Sequence, residues 1–93
     1  MKEKISQVLV VEGRDDTVNL QRYFDVKTYE TRGSAINQED LERIARLHDL
    51  HGVIVFTDPD VNGERIRRMI MTAIPGVQHA FLRRDEAAPK SKN

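Results

Sequence analysis

The 93-residue sequence has no cysteine, no long apolar run and no net charge, and each absence excludes a class of protein. Without cysteine, the chain forms neither a disulfide framework nor a thiolate metal site. No apolar run approaches the ~20 residues of a membrane-spanning helix, so we expect no membrane partner and a cytoplasmic location. The 15 basic residues balance the 15 acidic ones. The chain therefore lacks the overall positive charge that is typical of nucleic-acid-binding proteins. We expect one small globular domain with a single core.

One segment combines a buried strand with two acids. Residues 53–57 are mostly β-branched and apolar, which is typical of a strand buried on both faces. Asp58, Pro59 and Asp60 follow, and Pro59 must end the strand, so both carboxylates stand at its carboxyl end. Two carboxylates one residue apart suit a Mg²⁺ ion that keeps several waters. The same residues also fit an ordinary turn in which Asp60 caps the next helix, and the segment alone leaves both interpretations open.

The rest of the chain alternates strands and helices. We predict strands at 5–11, 26–31, 53–57 and 77–82, the second of them at a sheet edge because its polarity is mixed. We predict helices at 17–24, capped by Asp15 or Asp16, from Asn37 to about His51, and from 62–64 to Ile74, where Pro75 and Gly76 end it. This alternation predicts an α/β fold: a mostly parallel four-stranded sheet of order 2-1-3-4 with helices on both faces.

That strand order predicts a cleft lined by acids. Strands one and three become neighbours, and the gap between them is the topological switch point, where ligands bind in open α/β sheets. Glu12 follows the first strand directly, and Asp58 and Asp60 follow the third. Because parallel strands end at the same edge, we expect these three acids to meet there.

The residues at these strand ends resemble the Toprim domain, a catalytic module of bacterial primases, of type IA and type II topoisomerases and of some nucleases. Glu12 with Asp16 is similar to that family's glutamate motif, and the 58–60 segment is similar to its paired-aspartate motif. The resemblance spans about residues 5 to 82. More closely, the chain resembles the endoribonucleases that mature 5S ribosomal RNA, in the segments 11–17, 33–36, 56–64 and 79–82.

The resemblance implies Mg²⁺-dependent hydrolysis of phosphodiester bonds in a paired stem of precursor 5S ribosomal RNA, with a ribosomal protein bound to that RNA. We expect Asp58 and Asp60, with Asp16 acting through water, to hold the metal. Glu12 either ligates the metal as well or acts as general base to the attacking water. For substrate binding we expect residues of the loops at this edge, namely Gly13, Arg14, Arg32, Gly33 and Ser34.

Other charged residues are expected to be structural. We predict Arg67 and Arg68 to be solvated positions on the last helix, His48 to cap a helix or lie on the surface, and His79 to be an ordinary strand residue. The predicted catalytic domain covers residues 1–84. Residues 85–93 are a polar tail, or the start of a linker to the carboxy-terminal RNA-binding region that the resembled enzymes carry.

Two other functions stay open on the sequence. A receiver-like phosphoacceptor domain also gathers acids around Mg²⁺ at the ends of its first and third strands. Alternatively, the chain is a non-catalytic Toprim module that only binds RNA or protein.

Overall fold

The computed structural model describes residues 2–32 and 36–81 of the chain. The elements, in chain order, are β1 (Glu3–Val11), α1 (Arg14–Tyr23), β2 (Phe24–Glu30), α2 (Gln38–His51), β3 (Val53–Thr57), α3 (Val61–Ala73) and β4 (Gln78–Phe81). The predicted substrate residues Gly33 and Ser34, the predicted strand end at Leu82 and the predicted tail at 85–93 lie outside the described residues. None of the described helices is long and apolar enough to cross a membrane.

The four strands form one sheet of order β2-β1-β3-β4, in which every neighbouring pair is parallel. This confirms the predicted order. In the register of the sheet, Val10 of β1 pairs with Val55 of β3, which in turn pairs with His79 of β4. The carboxyl ends of all four strands therefore lie at one edge, and the loops that follow β1 and β3 are adjacent.

Helices cover both faces of the sheet, as predicted. On one face, Val10 and Val55 pack with Ile44 of α2 and with Ile66 and Ile70 of α3, all of them fully buried. On the other face, α1 covers a smaller cluster built on Leu9, Val11 and Val26. The apolar stripe of the last helix, Ile66, Ile70 and Ile74, is thus part of the core. Its burial removes the apolar face of this amphipathic helix from water.

The third strand is less buried than predicted. Val53, Val55 and Thr57 are buried, but Ile54 and Phe56 are only half-buried. The reason is the position of α1, which packs mainly on β2 and β1. The strand is therefore buried on one face only, although its sequence is apolar on both.

The first helix begins earlier than predicted. Its N-cap is Gly13, so the prediction that Asp15 or Asp16 caps it is wrong. Asp16 lies inside the first turn, where its carboxylate accepts a hydrogen bond from the backbone N–H of Gly13 at 3.1 Å. A carboxylate at this position satisfies a free donor of the helix start from inside the helix.

The second helix has the predicted ends. The Asn37 side chain accepts from the N–H of Asp40 at 2.9 Å, and the Asp40 carboxylate accepts from the N–H of Asn37 at 3.1 Å. These reciprocal bonds form a capping box. At the other end, Gly52 has a φ of 81°, a conformation that favours glycine, and His48 accepts the N–H of Val53 at 3.2 Å. His48 therefore has a structural role at the helix end, where it holds the start of β3, but this bond does not cap the helix carbonyl groups.

Arg67 differs most from its prediction, because it is only 4% exposed. Its guanidinium lies over the carboxyl ends of β3 and β4, where it donates to the carbonyl oxygen of Ala80 at 2.9 Å and to that of Thr57 at 3.3 Å. It also bonds Nδ1 of His79 at 3.0 Å. Position 67 precedes the buried Ile70 by three residues, so helical spacing places it beside the core. Arg68 is exposed, as predicted.

The start of α3 packs closely against the loop before it. A Cβ on Gly63 would lie 2.0 Å from the carbonyl oxygen of Asp58, far inside van der Waals contact. A Cβ on Gly13 would meet nothing within 4 Å, and the backbone of Gly13 is extended.

We expect Gly63→Ala to destabilise the fold by about 1–3 kcal/mol or more, because the added methyl group must displace backbone. Gly13→Ala is the matched control; it should cost no more than about 1 kcal/mol, because no atom has to move and only the preference of the N-cap for glycine over alanine is lost. Urea unfolding of both variants measures the difference. Equal stability of the two variants would show that the loop before α3 is not held tightly.

The bond between Arg67 and His79 predicts a pH dependence of stability. Arginine can only donate, so Nδ1 of His79 must accept and stay unprotonated. Although His79 is exposed overall, the partial desolvation of its ring and the charge of Arg67 lower the pKa of His79 below its usual value of 6.5. Between that lowered pKa and 6.5 the unfolded chain binds more protons than the folded chain, so stability falls as the pH drops through about 6.5.

We therefore expect the urea midpoint of the unmodified chain to fall between about pH 7.5 and about pH 5.5. In His79→Asn the midpoint should fall less, because an amide oxygen accepts the bond without titrating. Parallel pH profiles for the two proteins would contradict the assigned hydrogen bond.

Candidate active site at the ends of strands β1 and β3

Glu12 connects the ends of the two central strands. It follows the last residue of β1, and the register of β1 with β3 brings it level with the end of β3. Its carboxylate accepts from the N–H of Asp58 at 3.3 Å and from the side-chain amide of Asn62 at 3.2 Å. The structure thus brings Glu12 to the loop that carries Asp58 and Asp60, although 46 positions separate Glu12 from Asp58.

The two aspartates of that loop have different surroundings. Asp60 is the N-cap of α3, and its Oδ1 accepts from the N–H of Gly63 at 2.7 Å. This is the structural role that the sequence left open for it. No hydrogen bond to its second carboxylate oxygen is found among the described residues, so that oxygen can take a ligand. Asp58 is exposed, and no hydrogen bond to its carboxylate is found within residues 2–32 and 36–81.

Asp16 and Gly13 lie at the start of α1, directly after Glu12. The Asp16 carboxylate is engaged by the N–H of Gly13, so one of its oxygens supports the helix start. Open space lies on the side of Gly13 where a Cβ would stand. A phosphate can approach the backbone there, at the positive end of the helix dipole.

The acids at this edge suit a hard cation only in part. Across residues 2–32 and 36–81, no three His, Cys, Asp or Glu side chains are placed as a ready metal-binding group. Mg²⁺ usually binds through one or two carboxylates, with water and substrate phosphate completing its octahedron. Asp58, Asp60 and Glu12 supply oxygen donors of that kind. The residues present therefore fit a partly hydrated Mg²⁺, and their assignment as its ligands stays a prediction.

Two exposed arginines flank the acids. The backbone N–H of Arg32 donates to the carbonyl oxygen of Glu12 at 2.8 Å, which places this residue beside the site with a φ of 60°. The side chain of Arg14, at the first position of α1, is 79% exposed and lies 3.7 Å from Glu30. Glu30 is itself held by the hydroxyl of Thr17 at 2.7 Å. Both arginines can reach a polyanion that approaches this edge.

Sequence reasoning missed Asn62 and Thr57 as parts of the site. Asn62 orients the carboxylate of Glu12, and only the order of the strands brings the two together. The hydroxyl of Thr57, 2% exposed, accepts from Arg67 at 3.0 Å and donates to the carbonyl oxygen of Gly63 at 3.3 Å. The sequence did contain a signal for Thr57, because it is a polar residue at the end of an otherwise apolar strand.

Comparison with known proteins finds close sequence similarity to ribonucleases. A protein named Ribonuclease M5 from Streptococcus pneumoniae is 85% identical over 92 residues, which are 99% of this chain and 50% of that protein. A protein of the same name from Lactococcus lactis is 66% identical, over 98% of this chain and 44% of its own length. The chain thus spans about half the length of these relatives.

A solved structure supports the fold. The small TOPRIM domain protein from Bacillus stearothermophilus superposes with a TM-score of 0.74 and 28% identity, over 91% of this chain and 75% of that one. The sequence model of the Toprim domain matches residues 7–86. That match includes the strand ends that carry Glu12, Asp58 and Asp60, and this chain belongs to the Toprim domain family.

Proposed function

We propose that this chain is the catalytic domain of an endoribonuclease that uses Mg²⁺ to hydrolyse phosphodiester bonds in a double-stranded stem of precursor 5S ribosomal RNA. The observation that carries the proposal is the contact of the Glu12 carboxylate with the loop bearing Asp58 and Asp60. The relatives named Ribonuclease M5 support the choice of RNA as substrate. A ribosomal protein bound to that RNA is part of the same proposal.

Asp58, Asp60 and Glu12 would hold the metal, with Asp16 acting through water. When bound there, Mg²⁺ withdraws negative charge from the scissile phosphate and lowers the pKa of a coordinated water. Asp58 contributes a carboxylate that faces solvent. Asp60 contributes the oxygen that does not cap α3, so the helix start fixes the direction of its carboxylate.

Glu12 is oriented by two donors, the N–H of Asp58 and the amide of Asn62. These bonds limit the rotation of its carboxylate and keep it beside the aspartates. From this position Glu12 either completes the metal site or accepts the proton of the attacking water. Both roles require the Glu12 carboxylate in this position, so the position supports the proposed reaction and is compatible with either role.

The RNA backbone would lie across the same edge. Gly13 leaves room for a phosphate at the start of α1. Arg14 and Arg32 would contact neighbouring phosphates and set the register of the stem. Gly33 and Ser34, which follow Arg32 in the sequence, are proposed to contact the substrate as well.

The match to the Toprim family argues against a receiver-like phosphoacceptor. An experiment must distinguish the nuclease from the other alternative, a non-catalytic module that only binds RNA or protein. The decisive measurement is cleavage of a precursor 5S RNA stem, with and without Mg²⁺, by the chain extended with the remaining region of a Ribonuclease M5 relative.

We expect Asp60→Asn to abolish most of this cleavage, by a factor of about 100 or more, because an amide is a poor ligand for Mg²⁺. The fold should persist, since asparagine caps a helix as well as aspartate does. Asp49→Asn, at an exposed position near the opposite edge of the sheet, is the matched control and should cleave normally. Normal cleavage by Asp60→Asn would refute the site assignment.

We expect Arg14→Gln to weaken RNA binding and to reduce the slope of log K against log salt concentration by about one, because one phosphate contact is lost. Arg22→Gln, which alters an exposed arginine in the last turn of the same helix, should leave the slope unchanged. Filter-binding titrations over a range of salt concentrations measure both. An unchanged slope in Arg14→Gln would remove this arginine from the RNA contact surface.

A further inference from the structure

The buried guanidinium of Arg67 lies directly beneath the acidic loop 58–60. One of its terminal nitrogens donates to both oxygens of Thr57, the carbonyl oxygen at 3.3 Å and the hydroxyl oxygen at 3.0 Å, and to the carbonyl oxygen of Ala80 at 2.9 Å. The other bonds His79 at 3.0 Å. Thr57 is the last residue of β3 and directly precedes Asp58. Arg67 therefore holds the end of β3 at the point where the loop begins.

From Thr57 the hydrogen bonds continue to the far side of the loop. The Thr57 hydroxyl donates to the carbonyl oxygen of Gly63, and the N–H of Gly63 donates to the carboxylate of Asp60. Gly63 also packs against the carbonyl group of Asp58. Thr57 and Gly63 therefore fix both ends of the loop, and Arg67 fixes Thr57.

Stability alone is a weak reason for a charge at this position. Burial of a guanidinium costs free energy even when its donors are satisfied, and an apolar residue of similar volume is often neutral or stabilising at such sites. Burial lowers the pKa of Arg67, in keeping with that cost. The neighbouring positions on the same stripe, Ile70 and Ile74, are apolar. What an apolar residue cannot supply is a planar fork of donors that holds several oxygens in one arrangement.

We propose that Arg67 is a positioning residue for the reaction. By holding Thr57, it keeps the backbone of Asp58 where its N–H meets the Glu12 carboxylate, and it keeps the carboxylates of Asp58 and Asp60 in one arrangement beside Glu12. This inference rests on the proposed nuclease function. Small displacements of positioned groups have large effects on rate, about 100-fold for a shift of 1 Å.

The test replaces Arg67 by methionine, which is of similar length and apolar, and compares it with Arg68→Met, the exposed neighbour on the same helix. In Arg67→Met we expect kcat for RNA cleavage to fall about tenfold or more while KM for RNA stays unchanged, because the RNA contacts lie elsewhere. The amide signal of Asp58 in a ¹H–¹⁵N correlation spectrum should shift as its bond to Glu12 weakens. Arg68→Met should change neither quantity.

A second variant covers the case in which Arg67→Met does not fold. Thr57→Val keeps the shape of the side chain and removes only the hydroxyl that joins Arg67 to Gly63. It should likewise lower kcat and shift the Asp58 amide signal. A normal kcat, or an unshifted Asp58 amide, in the folded variant overturns the inference.

The two proposals fail in different ways. If the unmodified protein cleaves RNA and Arg67→Met cleaves it equally fast, the nuclease function stands and the positioning role is refuted. If the unmodified protein cleaves no RNA, the nuclease function is refuted. The Asp58 amide signal then shows separately whether Arg67 orders the loop, and an unshifted signal refutes that as well.

Discussion

The hydrogen bonds of the Glu12 carboxylate join the two halves of this site. Glu12 directly follows β1, and its carboxylate bonds both the backbone and a side chain of the segment after β3. This contact exists because β1 and β3 are parallel neighbours in the sheet. Parallel neighbours must end at one edge, so residues distant in the chain are brought together without any loop having to reach across the molecule.

Close packing holds the aspartate loop from the other side. The carbonyl group of Asp58 lies against Gly63, where no side chain would fit, and the N–H of Gly63 holds the Asp60 carboxylate. Thr57 and Arg67 add a buried layer of hydrogen bonds below it. The exposed acidic loop is therefore supported by buried, hydrogen-bonded residues. Precise binding of a metal and a phosphate requires such support.

Much of the fold was predictable because its elements have local signals. The strand at 53–57 and the cap at Asn37 follow directly from residue types and spacing, and the alternation of elements led to the observed strand order. The two errors have different causes, one local and one tertiary. Gly13, rather than an acid, begins α1, because the Asp16 carboxylate satisfies the helix start from within. Arg67 lies on the buried side of α3, and its oxygen partners belong to two strands of the sheet, which the spacing of residues along the helix does not reveal.

The order of residues along the chain is enough to show which residue types follow the strands, since Glu12 and Asp58 come directly after predicted strands and Asp60 comes two residues after Asp58. It also determined the resemblance to the Toprim domain, which the family match confirms. The contacts by which Asn62 orients Glu12 and Arg67 supports Thr57 become visible only in the folded molecule. The physical reason is that side-chain hydrogen bonds depend on distances across the sheet and between layers, and periodicity along a chain carries no information about those distances.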